Sequence, residues 1–185
     1  MIIHLKGYRL YLGVLALKEI QIDDVKAFLR SLSENLGGIK FQVLNLQRIA
    51  GLMHILTSTL VALEAFKHGL NIANTLPMEV LVRASAQRQI SRALKLLGVK
   101  KGRQNLVLVL IDKDRSRVEE AVARLSKMYS GYVDEKVLEA DRSSCIMEAY
   151  GLSEEEVKTE EAYTRGLWDA VKNLIAERVV LTLIA

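Results

Sequence analysis

NLVLVLI, residues 105 to 111, is apolar at every position after the first. A strand with no polar face belongs in the middle of a sheet, covered on both sides. This run therefore sets a sheet at the centre of the chain, and the flanking segments are read around it.

Immediately upstream, EVLVRASAQRQISRALKLLG (79–98) starts like a strand and ends like a helix. MEVLVRA, entered after Pro77, reads as a further strand. SAQRQISRALKLLG reads as a helix, and GVKKGRQ as a basic turn into the central strand. Earlier still, YRLYLGVLAL (8–17) reads as a first strand. QIDDVKAFLRSLSENLGG reads as a helix with Asp23 and Asp24 in its first turn and Gly37-Gly38 at its end. IKFQVLNL (39–46) is a short strand. It precedes an oily helix from about Gln47 to Lys67, closed by Gly69. Downstream, residues 115 to 129 form an amphipathic helix. DEKVLEADRSSCIMEAYGL holds short helical pieces. Residues 154 to 178 form a long helix, acidic at its start and basic at its end. The expectation is one compact α/β domain spanning residues 1–185. It has a sheet of about four strands packed with five to six helices and ends in a long C-terminal helix.

The totals narrow the class. The chain has 185 residues, half of them hydrophobic, enough for a substantial core. Its formal charge of +4 is compatible with a nucleic-acid partner without demanding one. A single cysteine excludes an internal disulfide and fits a reducing cytosol, so the expected location is cytoplasmic. The start MIIHLKGYRLYLG lacks the features of a signal peptide. Residues 49–66 are oily enough to suggest a membrane span. His54, the Thr57-Ser58-Thr59 run and Glu64 point instead to a buried core helix, and no membrane partner is expected.

The 79–98 junction holds the most distinctive chemistry. Ser85 is placed to cap the helix. Ile90, Ala93, Leu94 and Leu97 are spaced as a buried face. Arg88, Arg92 and Lys95 form a basic stripe opposite, with Arg83 before the turn and Gly98 as a left-handed stop. Two readings stand: a solvated charged face, or an anion site in which guanidinium forks and first-turn amides meet a phosphate backbone. Arginine, glutamine and serine bind and orient, but they are poor acids and bases near neutrality. The junction is a recognition surface, with no catalytic residue.

Elsewhere the signals for catalysis are weak. His54 reads as a satisfied core residue, and His68 suits a helix C-terminus. Cys145 reads as a buried, inert thiol. No ligand spacing suggests zinc, and no glycine-rich nucleotide loop or nucleophile elbow is present, so no metal or cofactor is expected. Asp112-Lys113-Asp114 follows the central strand and is either a polar turn or a weak magnesium site. In the last helix Leu167, Ala170, Val171, Leu174 and Ile175 form a stripe beside Tyr163 and Trp168. It is core or a partner surface.

The chain resembles the PRPK-binding protein (TPRKB) family, the small subunit of the KEOPS complex that contacts the kinase subunit. The likeness runs through IKFQVLNLQRIAGLMHILTSTLVALEAFKHG, EVLVRASAQRQISRALKLLGVKKG, NLVLVLI, YGLSEEEVK and LWDAVKNLIAERV. Its most specific piece is Ala84-Ser85-Ala86-Gln87-Arg88-Gln89-Ile90, where archaeal members often carry Gly in place of Ala86. The resemblance implies a non-catalytic subunit without cofactor. Such a subunit binds the kinase/ATPase subunit and helps recruit tRNA by its 3′ CCA end for threonylcarbamoyl-adenosine formation. The implied RNA-binding residues are Arg83, Ser85, Arg88, Gln89, Arg92 and Lys95, of which the motif supports Ser85, Arg88 and Gln89 best. The partner surface is placed on Trp168, Val171, Leu174 and Ile175, a surface that also allows a weak homodimer in isolation. Two alternatives remain: a stand-alone RNA-binding α/β module, and a small-molecule transferase using the Asp112–Asp114 turn.

Overall fold

A computed structural model describes residues 1–184, and their contacts divide the chain into two compact units. The first comprises Met1–Leu46 and Val99–Val137. The second runs through Gln47–Gly98 and from Leu138 onward.

The first unit carries the sheet, of four strands in the order β1-β2-β4-β3 with every neighbour antiparallel. The apolar run lies in β4 (Gly102–Asp112), between β2 (Leu10–Ile22) and β3 (Lys40–Asn45), with Leu106 to Leu110 fully buried. Helix α1 (Val25–Leu36) starts at Asp24, whose carboxylate accepts from the amides of Lys26 and Ala27. Helix α5 (Arg115–Met128) starts at Asp114 in the same way. Leu32, Leu36, Ala121 and Leu125 from these helices join Leu15, Leu17, Leu108 and Leu110 in one core cluster. Gly13 of β2 lets α5 close on the sheet, since a Cβ there would stand 2.8 Å from Val118 Cγ1.

The expected first strand is longer than 8–17 because β2 continues through a bulge between Leu17 and Ile20. Glu19 takes a left-handed conformation there (φ 54°), and the Asn105 side-chain oxygen accepts its amide at 2.8 Å. A short edge strand, β1 (Ile2–Leu5), was not foreseen; a four-residue strand carries too little alternation to read.

The second unit is helical. Helix α2 (Gly51–His68) is the oily segment, and α4 (Ile90–Leu97) is the expected basic helix. The structure overturns one strand: MEVLVRA is helix α3 (Leu76–Ala84). Pro77 lies in its first turn, where a missing N–H does no harm. Every residue from Glu79 to Ala84 is buried. A helix buried all round shows no 3.6-residue stripe, so its sequence is indistinguishable from a central strand. The C-terminal region is also divided. Gly166 (φ 135°) separates α8 (Glu154–Glu161) from α9 (Leu167–Leu181), and Ser153 with Glu156 forms a reciprocal cap on α8. With α6 (Lys136–Glu139) and α7 (Ser143–Tyr150), the described residues hold nine α-helices rather than five to six. Among them none is long and apolar enough to cross a membrane.

Candidate nucleic-acid interface

The junction between α3 and α4 is a turn between helices. Ser85 closes α3 instead of opening α4: its hydroxyl donates to the Val82 carbonyl at 2.6 Å and accepts the Gln87 amide at 3.2 Å. Ala86 then takes a left-handed conformation (φ 50°), and extended Gln89 leads into α4. Arg88 and Gln89 are exposed, as are Arg92 and Lys95 on α4. Among the described residues, no ion-pair partner is found for Arg88, Arg92 or Lys95. Ala93 and Leu97 are buried as the spacing predicts, but Ile90 and Leu94 are 36% and 42% exposed. The buried stripe of α4 is therefore narrower than expected, and apolar surface lies beside the cations. Gly98 is extended (φ −67°, ψ 151°), not left-handed. It must be glycine because a Cβ there would sit 2.4 Å from the Leu94 carbonyl oxygen.

Two of the expected RNA-binding residues face inward. Ser85 is fully buried, and Arg83 is 1% exposed. Arg83 Nε donates to Glu79 Oε1 at 2.7 Å. Its Nη1 reaches the Thr182 carbonyl at 2.5 Å and the Thr182 hydroxyl at 3.2 Å, and its Nη2 reaches the Leu70 carbonyl at 2.8 Å. Glu79 Oε2 accepts the amides of Ile72 and Ala73. A buried ion pair persists when its remaining donors and acceptors are filled, as they are here. Arg83 is a tie between α3, the preceding loop and the end of α9. It has no surface to offer a ligand. The helical form of α3 explains the error, because Glu79 and Arg83 stack at i, i+4 on a helix but not on a strand.

The carbonyl of Ala84, at the end of α3, receives two further donors. His54 Nε2 lies 2.8 Å away and the Tyr150 hydroxyl 2.9 Å away, while His54 Nδ1 accepts the Ala50 amide at 3.0 Å. The ring is thus neutral, with its proton on Nε2. Burial pushes the His54 pKa down to about 4, against a smaller upward pull from the bond to Ala84. Burial also pushes the Tyr150 phenol well up. His54 is the satisfied core histidine its position suggests.

Next to the turn is a cleft of about 380 Å³ lined by Ala86, Gln87, Arg88, Ala149, Tyr150, Arg178, Leu181 and Thr182. Arg178 is pinned: its guanidinium donates to the Tyr150 carbonyl, to the Gly151 carbonyl at 3.3 Å and to Glu156 at 3.0 Å. The sequence motif locates one wall, at residues 86–88. The others come from α7 and α9, and no local pattern marks them.

The partner stripe on α9 splits. Val171 and Ile175 are fully buried with Ala170 and Val179 in the helical core. They are core residues and do not face a partner. Trp168 and Leu174 are half-buried at its margin. The Trp168 indole N–H donates to the Glu139 carbonyl, and the Arg142 and Lys172 cations lie 5.7 and 5.8 Å from its ring centroid. Leu167, before Trp168, is 41% exposed. Cys145 is exposed, contrary to expectation. Asp112 pairs with Arg117 at 2.9 Å and accepts the Asp114 amide, and Asp114 caps α5. That turn is structural, and the described residues contain no cluster able to hold a metal ion.

A helical scaffold presenting unpaired cations, beside a small sheet unit without acid–base machinery, belongs to the class of binding subunits. The family model described as "Kinase binding protein CGI-121" matches residues 21–178, and the chain belongs to that family. The chain is 36% identical over 115 residues to "Regulatory protein Cgi121" of Methanocaldococcus jannaschii, covering 61% of this chain and 71% of the relative. It is 35% identical over 66 residues to "KEOPS complex subunit Cgi121" of Pyrococcus abyssi, covering 35% of this chain and 38% of that relative.

Proposed function

We propose that this chain is a non-catalytic KEOPS subunit of the cytoplasm. It binds the kinase/ATPase subunit and helps hold tRNA by its single-stranded 3′ CCA end, while another subunit forms threonylcarbamoyl-adenosine. Family membership and the printed names of the two relatives support the first part. The observation that carries the RNA reading is the exposed set Arg88, Gln89, Arg92 and Lys95, whose three cations stand without ion-pair partners at the start of one helix. No group there takes a proton near neutrality: His54 is buried and neutral, and the Tyr150 phenol is raised. Such a surface grips a strand without transforming it.

The test is binding of the purified chain to a tRNA and to the same tRNA lacking CCA, at low and moderate salt. For about three neutralised phosphates on a single strand, log K is expected to fall with log salt at a slope of about −2. Arg88→Glu is expected to abolish the difference between the two RNAs. Equal binding of both RNAs by the unmodified chain defeats the tail reading. For the kinase surface, half-buried Trp168 and Leu174 with exposed Leu167 replace the original four-residue stripe. Leu167→Glu is expected to release the kinase subunit and leave the circular dichroism spectrum unchanged.

A further inference from the structure

We propose that the cleft beside the α3–α4 turn holds one unstacked nucleotide, the terminal residue of the RNA strand whose phosphates meet α4. The inference rests on the tRNA-end reading above and adds a base-binding subsite to it. At about 380 Å³, the cleft falls at the small end of ligand sites and suits one base with its ribose. Ala86, Ala149 and Leu181 supply apolar surface for the faces of a base, and Leu181 is kept 44% exposed at a helix end. Arg178 is neutralised by Glu156 and fixed by two carbonyls, so it offers a planar face of set orientation in place of a mobile charge. Single-stranded RNA is recognised in this manner, by splayed bases packed on arginine planes and apolar side chains.

The polar groups at the cleft divide by availability. Thr182 is committed to Arg83 and to the Val179 carbonyl, and the Tyr150 hydroxyl to the Arg48 and Ala84 carbonyls. Among the described residues, no bond is found from the Gln87 amide group or the Arg88 guanidinium. An amide with one donor and one acceptor side matches a base edge, and a guanidinium matches a phosphate. A free nucleotide offers the same chemistry as an RNA end. With one available cation at the cleft and the next two on α4, the arrangement favours a strand that continues past the cleft.

The experiment compares four probes on the full chain: intact tRNA, tRNA lacking only its last nucleotide, tRNA lacking CCA, and AMP. Leu181→Ala and Arg92→Glu are measured beside the unmodified chain. Loss of the last nucleotide is expected to weaken binding about tenfold, the scale of one stacked base. Leu181→Ala is expected to weaken intact tRNA by a similar factor without further effect on the shortened RNA. Arg92→Glu is expected to weaken both alike. If removing CCA abolishes binding but the last nucleotide and Leu181 do not matter, the subsite is wrong and the tail reading stands. If all RNAs bind equally, or intact tRNA does not bind, both fall. AMP binding as tight as that of intact tRNA and indifferent to Arg92→Glu overturns the strand and assigns the cleft to a free nucleotide.

Discussion

Acidification should unfold this protein partly through His54. The ring accepts the Ala50 amide on Nδ1 and donates to Ala84 from Nε2, and it is 1% exposed. Protonation would turn an acceptor into a donor facing another donor, inside a core. The folded pKa is about 4 against 6.5 for an exposed histidine. Because the folded value is the lower one, the stabilisation is complete above pH 6.5 and is lost as pH falls toward 4. Linkage puts the loss at about 1 kcal/mol at pH 6, about 2 kcal/mol at pH 5 and about 3 kcal/mol at pH 4. Carboxylates titrate in the same range, so the measurement is a difference. Urea unfolding of the unmodified chain and of His54→Gln, followed by circular dichroism from pH 7 to 4.5, should show the histidine chain losing about 2 kcal/mol more between pH 7 and 5. Parallel decline of the two proteins, or an NMR titration of His54 near 6.5 in the folded state, would refute the reasoning.

Three other substitutions probe the same unit. Ala86→Gly should raise stability by about 1 kcal/mol in denaturant melts, because alanine at φ 50° bears a strain that glycine lacks. Arg83→Met should remove about 3–5 kcal/mol by stranding Glu79. The double change Glu79→Gln with Arg83→Met should recover part of it, and equal melting of single and double variants would exclude the ion pair as the cause. Val171→Glu should abolish the folded circular dichroism spectrum, since that side chain is fully buried and a charge there has no partner; a folded variant would return Val171 to the surface.

How far the sequence could be read depended on whether each element kept a two-sided pattern. The sheet unit was legible because β4 is uniformly apolar, and α1 and α5 each begin at an aspartate that caps them. The helical unit was less so. In α3 the residues Glu79 to Ala84 are buried on every side, so periodicity vanished and a strand was read in its place. That single error carried into the site. On a strand, Arg83 is a cation next to a turn; on a helix it lies one turn from Glu79 and pairs with it. Ser85 likewise moved from opening α4 to closing α3. Arg88, Gln89, Arg92 and Lys95 survived as an exposed set because they lie beyond α3, where the pattern of α4 was still amphipathic. The cleft was out of reach in principle. Its walls come from residues 86–88, 149–150 and 178–182, and only packing brings them together. The same packing gives Arg83 its role: by holding Thr182 it ties the end of α3 to the end of α9, where Leu181 and Thr182 line the cleft. The buried arginine shapes the cleft without reaching its ligand.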